Sequence, residues 1–263
     1  MLTDDADPAL VAEKLIHPQF PRSATYDPVW QARYADGPNP LWLAESLTGL
    51  LDLTPGMRVL DLGCGWATSS IFLAKEFGVQ VVAADMWLRP ETWPLIVEAG
   101  VESQVLPVRV EAHDLRFAHE YFDAIISLDA YQYFGTDDLY LGYLQQFLAP
   151  GGVLGIVVLG ITEELDAGPP GHLADMWTWD HQAFHSPAWW RTHLERSAPM
   201  TVEHADLVPD GWRHSLRWQE LAAQTAPPQA RPACAEWARR LATDAGRTIG
   251  WPRIVARKTA PSA

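Results

Sequence analysis

At 263 residues and 48% hydrophobic content, the chain is long enough to bury one sizeable core, and a single elaborated domain is the expected organisation. A net charge of −14, with 19 Lys and Arg against 33 Asp and Glu and no basic cluster, argues against a protein that tracks nucleic-acid phosphates. No run approaches the roughly 20 apolar residues of a membrane span, and two cysteines, Cys64 and Cys234, make no disulfide framework. Because Asp4, Asp5 and Asp7 are not the basic opening of a signal peptide, a soluble cytoplasmic protein is expected.

In chain order, residues 8–16 carry a short helical pattern. Residues 26–34 read as a helix entered through Asp27 as cap with Pro28 at its first position, and Asn39-Pro40 repeats the device for residues 41–50. This layer, residues 1–54, has no strand and is expected to pack as a cap over the open end of a sheet. Its Tyr26, Trp30 and Tyr34 are candidate substrate-pocket residues, although aromatics on amphipathic helices are core residues as often. Strands are expected at 57–62, 79–84, 104–110, 122–128 and 153–159, and helices at 68–77, 91–99 and 137–148. Nearly continuous apolar strands alternating with helices describe a parallel α/β sheet covered on both faces, the core at residues 55–160. Residues 161–263 complete the same domain, beginning with a long connection at 161–186 rich in Gly, Pro and aromatics. Its Trp177 and Trp179 suggest a lid that closes over substrate. A helix at 188–196, a strand at 201–207, a helical region at 216–245 broken by Pro227-Pro228, and a strand at 253–257 follow. No internal repeat is evident.

The chemistry concentrates at the strand ends. Val59-Leu60-Asp61-Leu62-Gly63-Cys64-Gly65 is a strand running into a tight turn before a helix, and glycines let the backbone bend sharply and approach a ligand. Asp85 closes the second strand about 20 residues on, where nucleoside-binding α/β folds place a carboxylate for the ribose hydroxyls. A dinucleotide fits poorly, since Thr68 replaces the third glycine of that fingerprint and Asp61 puts negative charge at the pyrophosphate position. A cationic nucleoside suits Asp61, and S-adenosylmethionine is one. Asp61, Asp85, Glu111 and Asp129 all fall at carboxyl ends of strands, where such sheets bind ligands.

Asp61-Leu-Gly-Cys-Gly, the strand-end Asp85, Glu111 to Leu115 with Phe122 to Ser127, and Phe147-Leu-Ala-Pro-Gly-Gly resemble the ordered motifs of class I S-adenosylmethionine-dependent methyltransferases. The resemblance covers residues 55–160 and points to the small-molecule branch that includes ubiquinone-type and cyclopropane-fatty-acid-type enzymes. It implies a Rossmann-like doubly wound sheet of seven strands, the last antiparallel, with S-adenosylmethionine as cofactor. Ala67 stands where the family's first motif has a third glycine, and Gln132 where relatives often carry His.

Roles follow from position. Asp61 and the Gly63-Cys64-Gly65 backbone would hold the methionine part and Asp85 the ribose. Met86 and Trp87 would pack on the adenine, with His113, Asp114 or the nearby backbone of Glu111 and Ala112 bonding its exocyclic amine, although His113 and Asp114 equally fit a turn-capping role. Asp129 to Phe134 would face the sulfonium, with Tyr131 and Tyr133 supplying aromatic faces to a cation. Asp129, Gln132, Tyr133 and His185 are the catalytic candidates, Asp129, Tyr133 or His185 as base, and in-line alignment alone is the alternative. His181 and His185 have helical metal-pair spacing, but no third ligand is visible and Ser186-Pro187 starts a helix, so no metal is expected. The expected function is methyl transfer to a small, partly apolar metabolite. Cyclisation or rearrangement with the same cofactor, a nicotinamide oxidoreductase, and non-catalytic nucleoside binding are the alternatives. Expected partners are a small molecule and neither nucleic acid nor membrane, with the oligomeric state open, a homodimer included.

Overall fold

A computed structural model describes residues 2–3 and 6–259, so Asp4 and Asp5 of the acidic start lie outside the described residues. Three helices, α1 (Pro8–Leu15), α2 (Pro28–Arg33) and α3 (Pro40–Thr48), each begin on proline, whose missing N–H has no partner in a first turn anyway. Asp7, Asp27 and Asn39 cap them, accepting from the backbone N–H of Ala9, Val29 and Leu41.

The sheet follows as β1 (Arg58–Leu62), α4 (Thr68–Phe77), β2 (Gln80–Asp85), α5 (Thr92–Glu98), β3 (Val105–Arg109), β4 (Phe122–Leu128), α6 (Tyr140–Leu144) and β5 (Leu148–Val157). After the short β6 (Gly160–Ile161) come α7 (Pro187–Ser197), β7 (Met200–Leu207), α8 (Gly211–Thr225), α9 (Arg231–Asp244), β8 (Ile249–Gly250) and β9 (Pro252–Lys258). Strand order is β3-β2-β1-β4-β5-β9-β7: the first five are parallel, and β9 runs antiparallel to both neighbours. The seven-stranded doubly wound sheet with its last strand antiparallel is therefore present. Order reverses between β1 and β4, which makes their carboxyl ends the switch point where ligands collect.

Both faces are covered. Leu47, Ile71, Phe72 and Leu95 bury one, and Leu141, Leu144, Trp190 and Leu194 the other. Leu47 of α3 lies so close over β5 that a Cβ on Gly155 would stand 3.1 Å from its Cδ2. Thus α3 is a layer helix on the sheet face, and the loop between α2 and α3, not the cap as a whole, crosses the end of the sheet.

Departures from expectation have local causes. The helix expected at 137–148 is α6 plus a 3-10 turn at Gln145–Phe147, because the chain must already be extended at Leu148 to pair with Phe122. Helix α8 starts at Gly211, five residues before the expected region, since the left-handed Asp210 (φ 54°) turns straight into it. The 161–186 connection is largely irregular, with a 3-10 turn at Trp179–Ala183, and its Leu173 buries against Leu241 and Ile249. Pairing of β6 with β8 ties it to the C-terminal segment.

Candidate active site

The turn after β1 is pinned from both sides. Gly63 and Cys64 N–H both donate to Ala84 O of β2, at 2.8 and 3.2 Å, and Ser127 Oγ of β4 donates to Leu62 O at 2.7 Å. Gly63 has φ 82°, and a Cβ there would come within 2.3 Å of Ala130 Cβ, so only glycine fits. Ala67 also has positive φ (59°), which accounts for a glycine being usual at that place.

Asp61 sits beneath the turn, 1% exposed, its Oδ2 accepting from Ser69 Oγ and Ser70 Oγ at 2.6 Å each. Its Oδ1 is buried without a protein partner. Burial pushes its pKa up to about 6, the two serine hydroxyls oppose that, and the Asp85 carboxylate adds to it. Asp85, the last residue of β2, accepts from Gly65 N–H (2.9 Å) through Oδ2 and from Trp87 N–H (2.7 Å) through Oδ1. Those two backbone bonds fix the carboxylate and leave a lone pair on each oxygen for hydroxyl donors.

Across the strand ends, Asp129 follows β4 in the left-handed region (φ 52°). Gln132 Nε2 donates to its Oδ1 at 3.1 Å, and burial pushes its pKa up to about 7 against that hydrogen bond. Gln132 is itself fully buried, with Oε1 unpartnered.

Gly63, Asp85 and Asp129 line a cleft of about 530 Å³ together with Tyr34, Cys64, Trp66, Trp87, Arg89 and Tyr133. Its charged lining is three carboxylates, Asp36, Asp85 and Asp129, and one guanidinium, Arg89. A compartment of that size and sign suits a cation of nucleoside dimensions. Among the candidates, Gly63, Cys64, Gly65, Asp85, Asp129, Tyr34 and Tyr133 line the cleft, and Asp61 supports it from behind.

The other candidates are placed elsewhere. Tyr26 hydrogen-bonds Glu76 Oε1 and packs on Phe72, and Trp30 stacks on Tyr26. Tyr131 is fully buried against Trp190 and Phe134, a core position outside the cleft lining. Trp177 packs on His181 and Phe184 under the connection, and Trp179 is 86% exposed, so neither lid tryptophan reaches the cleft. His185 stacks on Trp189 (ring centroids 3.6 Å apart) and its Nδ1 pairs with Glu164, and it is not in the cleft lining. His181 Nδ1 bonds within its own turn to Thr178, so the two histidines do not share a helical face. Met86 is 42% exposed beside the cleft. Glu111 closes a turn on itself, accepting from His113 N–H (2.9 Å) and pairing with His113 Nδ1, while Ala112 O accepts from Tyr140. Sequence reasoning missed Asp36, Trp66 and Arg89; Trp66 stands inside the glycine turn and was a readable signal.

A family model described as mycolic acid cyclopropane synthetase matches residues 44–169. Cyclopropane-fatty-acyl-phospholipid synthase of Escherichia coli is 30% identical over 112 residues, 42% of this chain and 28% of that protein, so the chain spans well under half of that relative. Among solved structures, phosphoethanolamine N-methyltransferase 2 of Haemonchus contortus superposes with TM-score 0.71 at 17% identity, covering 95% of this chain and 60% of that one. The (4+2)-cyclase SpnF superposes with TM-score 0.66 at 20% identity, covering 84% and 82%. The chain is thus similar over residues 44–169 to the cyclopropane-synthetase family model, and its fold is that of the solved S-adenosylmethionine-dependent methyltransferases.

Proposed function

We propose that the protein is a methyltransferase that binds S-adenosylmethionine in the cleft above Gly63 to Gly65 and methylates a small, partly apolar metabolite in the cytoplasm. The observation that carries this reading is Asp85, whose two oxygens are fixed by backbone N–H groups at the end of β2 and face the cleft. A carboxylate so held is ready to accept the paired hydroxyls of a ribose. The acidic lining and the orphaned Oδ1 of Asp61 fit a ligand that brings N–H donors and positive charge. Gly63, Cys64 and Gly65 would bear its backbone-like portion.

When bound, S-adenosylmethionine supplies a methyl group on positively charged sulfur. The chain's own contribution is alignment, dehydration and proton management. Asp129 is the candidate base. Its raised pKa leaves it able to take a proton near neutrality, and Gln132 holds the carboxyl in place through Oδ1. Tyr34 and Tyr133 present aromatic surface to an acceptor of mixed polarity. No helix among the described residues is long and apolar enough to cross a membrane.

Titration calorimetry with S-adenosylmethionine, S-adenosylhomocysteine and NADH tests the cofactor. The first two should bind and the third should not; the reverse pattern ends the proposal. Asp85→Ala should weaken S-adenosylhomocysteine binding by about 1.5–3 kcal/mol, the usual worth of hydrogen bonds to a charged acceptor, with the circular dichroism spectrum unchanged. Wild-type affinity in that variant would take Asp85 out of the site.

A further inference from the structure

The strap between α2 and α3 is held over the cleft by a cluster of side-chain contacts. Arg89 reaches Asp36 at two points, Nη1 to Oδ2 at 2.9 Å and Nη2 to Oδ1 at 3.1 Å. The same guanidinium lies 4.3 Å over the Trp66 ring, and Trp66 Nε1 donates to Asp36 Oδ1 at 3.2 Å. Tyr34 closes the group edge-on against Trp66, with ring centroids 5.3 Å apart. Three segments remote in sequence, the strap, the glycine turn and the loop after β2, thus meet at one cluster.

The strap then runs across the site. A Cβ on Gly65 would stand 3.2 Å from Asp36 Oδ2, and a Cβ on Gly37 would stand 2.5 Å from Asp129 Oδ2. Asp36 therefore roofs the glycine turn while Gly37 roofs the Asp129 carboxyl, so a nucleoside lying on Gly63 to Gly65 is covered from above. The connection at 161–186, by contrast, is anchored to α9 and β8.

We propose that Asp36, Arg89 and Trp66 form an ionic clasp that holds this strap closed, and that its release gates exchange of the nucleoside. The proposal rests on the S-adenosylmethionine reading of the cleft. Asp36 and Arg89 are then positioning residues for binding, not groups that touch the reacting atoms. The pair is partly exposed, 43% for Asp36 and 31% for Arg89, so it is weak enough to open. Its two-point geometry and its aromatic neighbour make it stronger than a single surface contact, so it rests closed.

Cys64 offers a readout that needs no ligand. It lines the cleft yet is only 6% exposed. In a Cys234→Ser background, its alkylation by iodoacetamide reports how often the strap opens. Asp36→Asn and Arg89→Gln should each speed labelling about five- to tenfold, and added KCl should bring the parent protein toward the variants while leaving the variants unchanged. The pair of variants separates opening from simple electrostatics. Removing an acid favours the thiolate and removing a guanidinium disfavours it, so a purely electrostatic effect would have opposite signs in the two. Opposite signs, unchanged rates or salt-insensitive rates overturn the clasp. Running the assay with S-adenosylhomocysteine keeps the two claims apart: no protection of Cys64 in the parent protein overturns the cofactor reading, whereas equal rates without ligand overturn the clasp.

Discussion

A carboxyl group crowded by protein atoms resists ionisation, and Asp129 shows the consequence for stability. Its pKa moves from 3.8 to about 7 on folding, so between those values the folded protein holds more protons than the unfolded chain. Stability from this group is therefore greatest below about pH 4, falls as pH rises toward 7, and is flat above. Asp61, raised to about 6, acts in the same direction over a narrower window. Asp129→Asn keeps the shape and removes the charge, so it should raise stability at pH 8 on the order of 2 kcal/mol and leave it unchanged near pH 4. Denaturant midpoints at the two pH values check this, and an equal gain at both would sever the link to ionisation. If Asp129 is also the base, the same variant loses turnover, a stability–activity exchange common at such sites.

Among the elements, the cap helices depend on a buried amide relay. Asn39, 1% exposed, caps α3 through Oδ1 to Leu41 N–H at 3.0 Å and donates from Nδ2 to Gln31 Oε1 at 2.8 Å. Gln31 in turn donates from Nε2 to Ser23 O and Tyr26 O, closing the loop ahead of α2. Asn39→Ala removes a cap and strands the Gln31 oxygen, so it should cost about 2–4 kcal/mol, read by urea unfolding. A loss below about 0.5 kcal/mol would mean that water replaces the side chain. The caps themselves were legible in sequence, because Asp-Pro, Asn-Pro and Ser-Pro each combine a side-chain acceptor with a residue that needs no N–H partner. The relay was not, since nothing local says that the Asn39 amide finds Gln31.

For the whole molecule, the decisive feature is the position of β9. The last strand inserts between β5 and β7, pairing Val153 with Arg257 and Thr201 with the same residue, so it joins the parallel half of the sheet to the antiparallel edge. The β5–β9 pairing joins segments about a hundred residues apart, and such pairings carry a large closure cost and form late. A chain ending at Thr248 should accordingly lose cooperative thermal unfolding and near-ultraviolet ellipticity. A cooperative transition in that truncation would show the first five strands to be a stable unit alone.

Local chemistry was enough to determine the five parallel strands, the helix at 68–77, the glycine turn and the acids at the strand ends, because periodicity, turn residues and caps act within a few residues of one another. The sheet's seven-strand completion came from resemblance. Which aromatics face the cleft was decided only in three dimensions. Tyr131 and Trp190 fill the core while Trp66 and Tyr34 reach the site, and composition weighs all four alike. The Asp36–Arg89 pair spans 53 positions, and the Gly37–Asp129 approach joins a cap loop to a strand end. Such contacts are consequences of how the layers stack, and a one-dimensional pattern carries no record of that stacking.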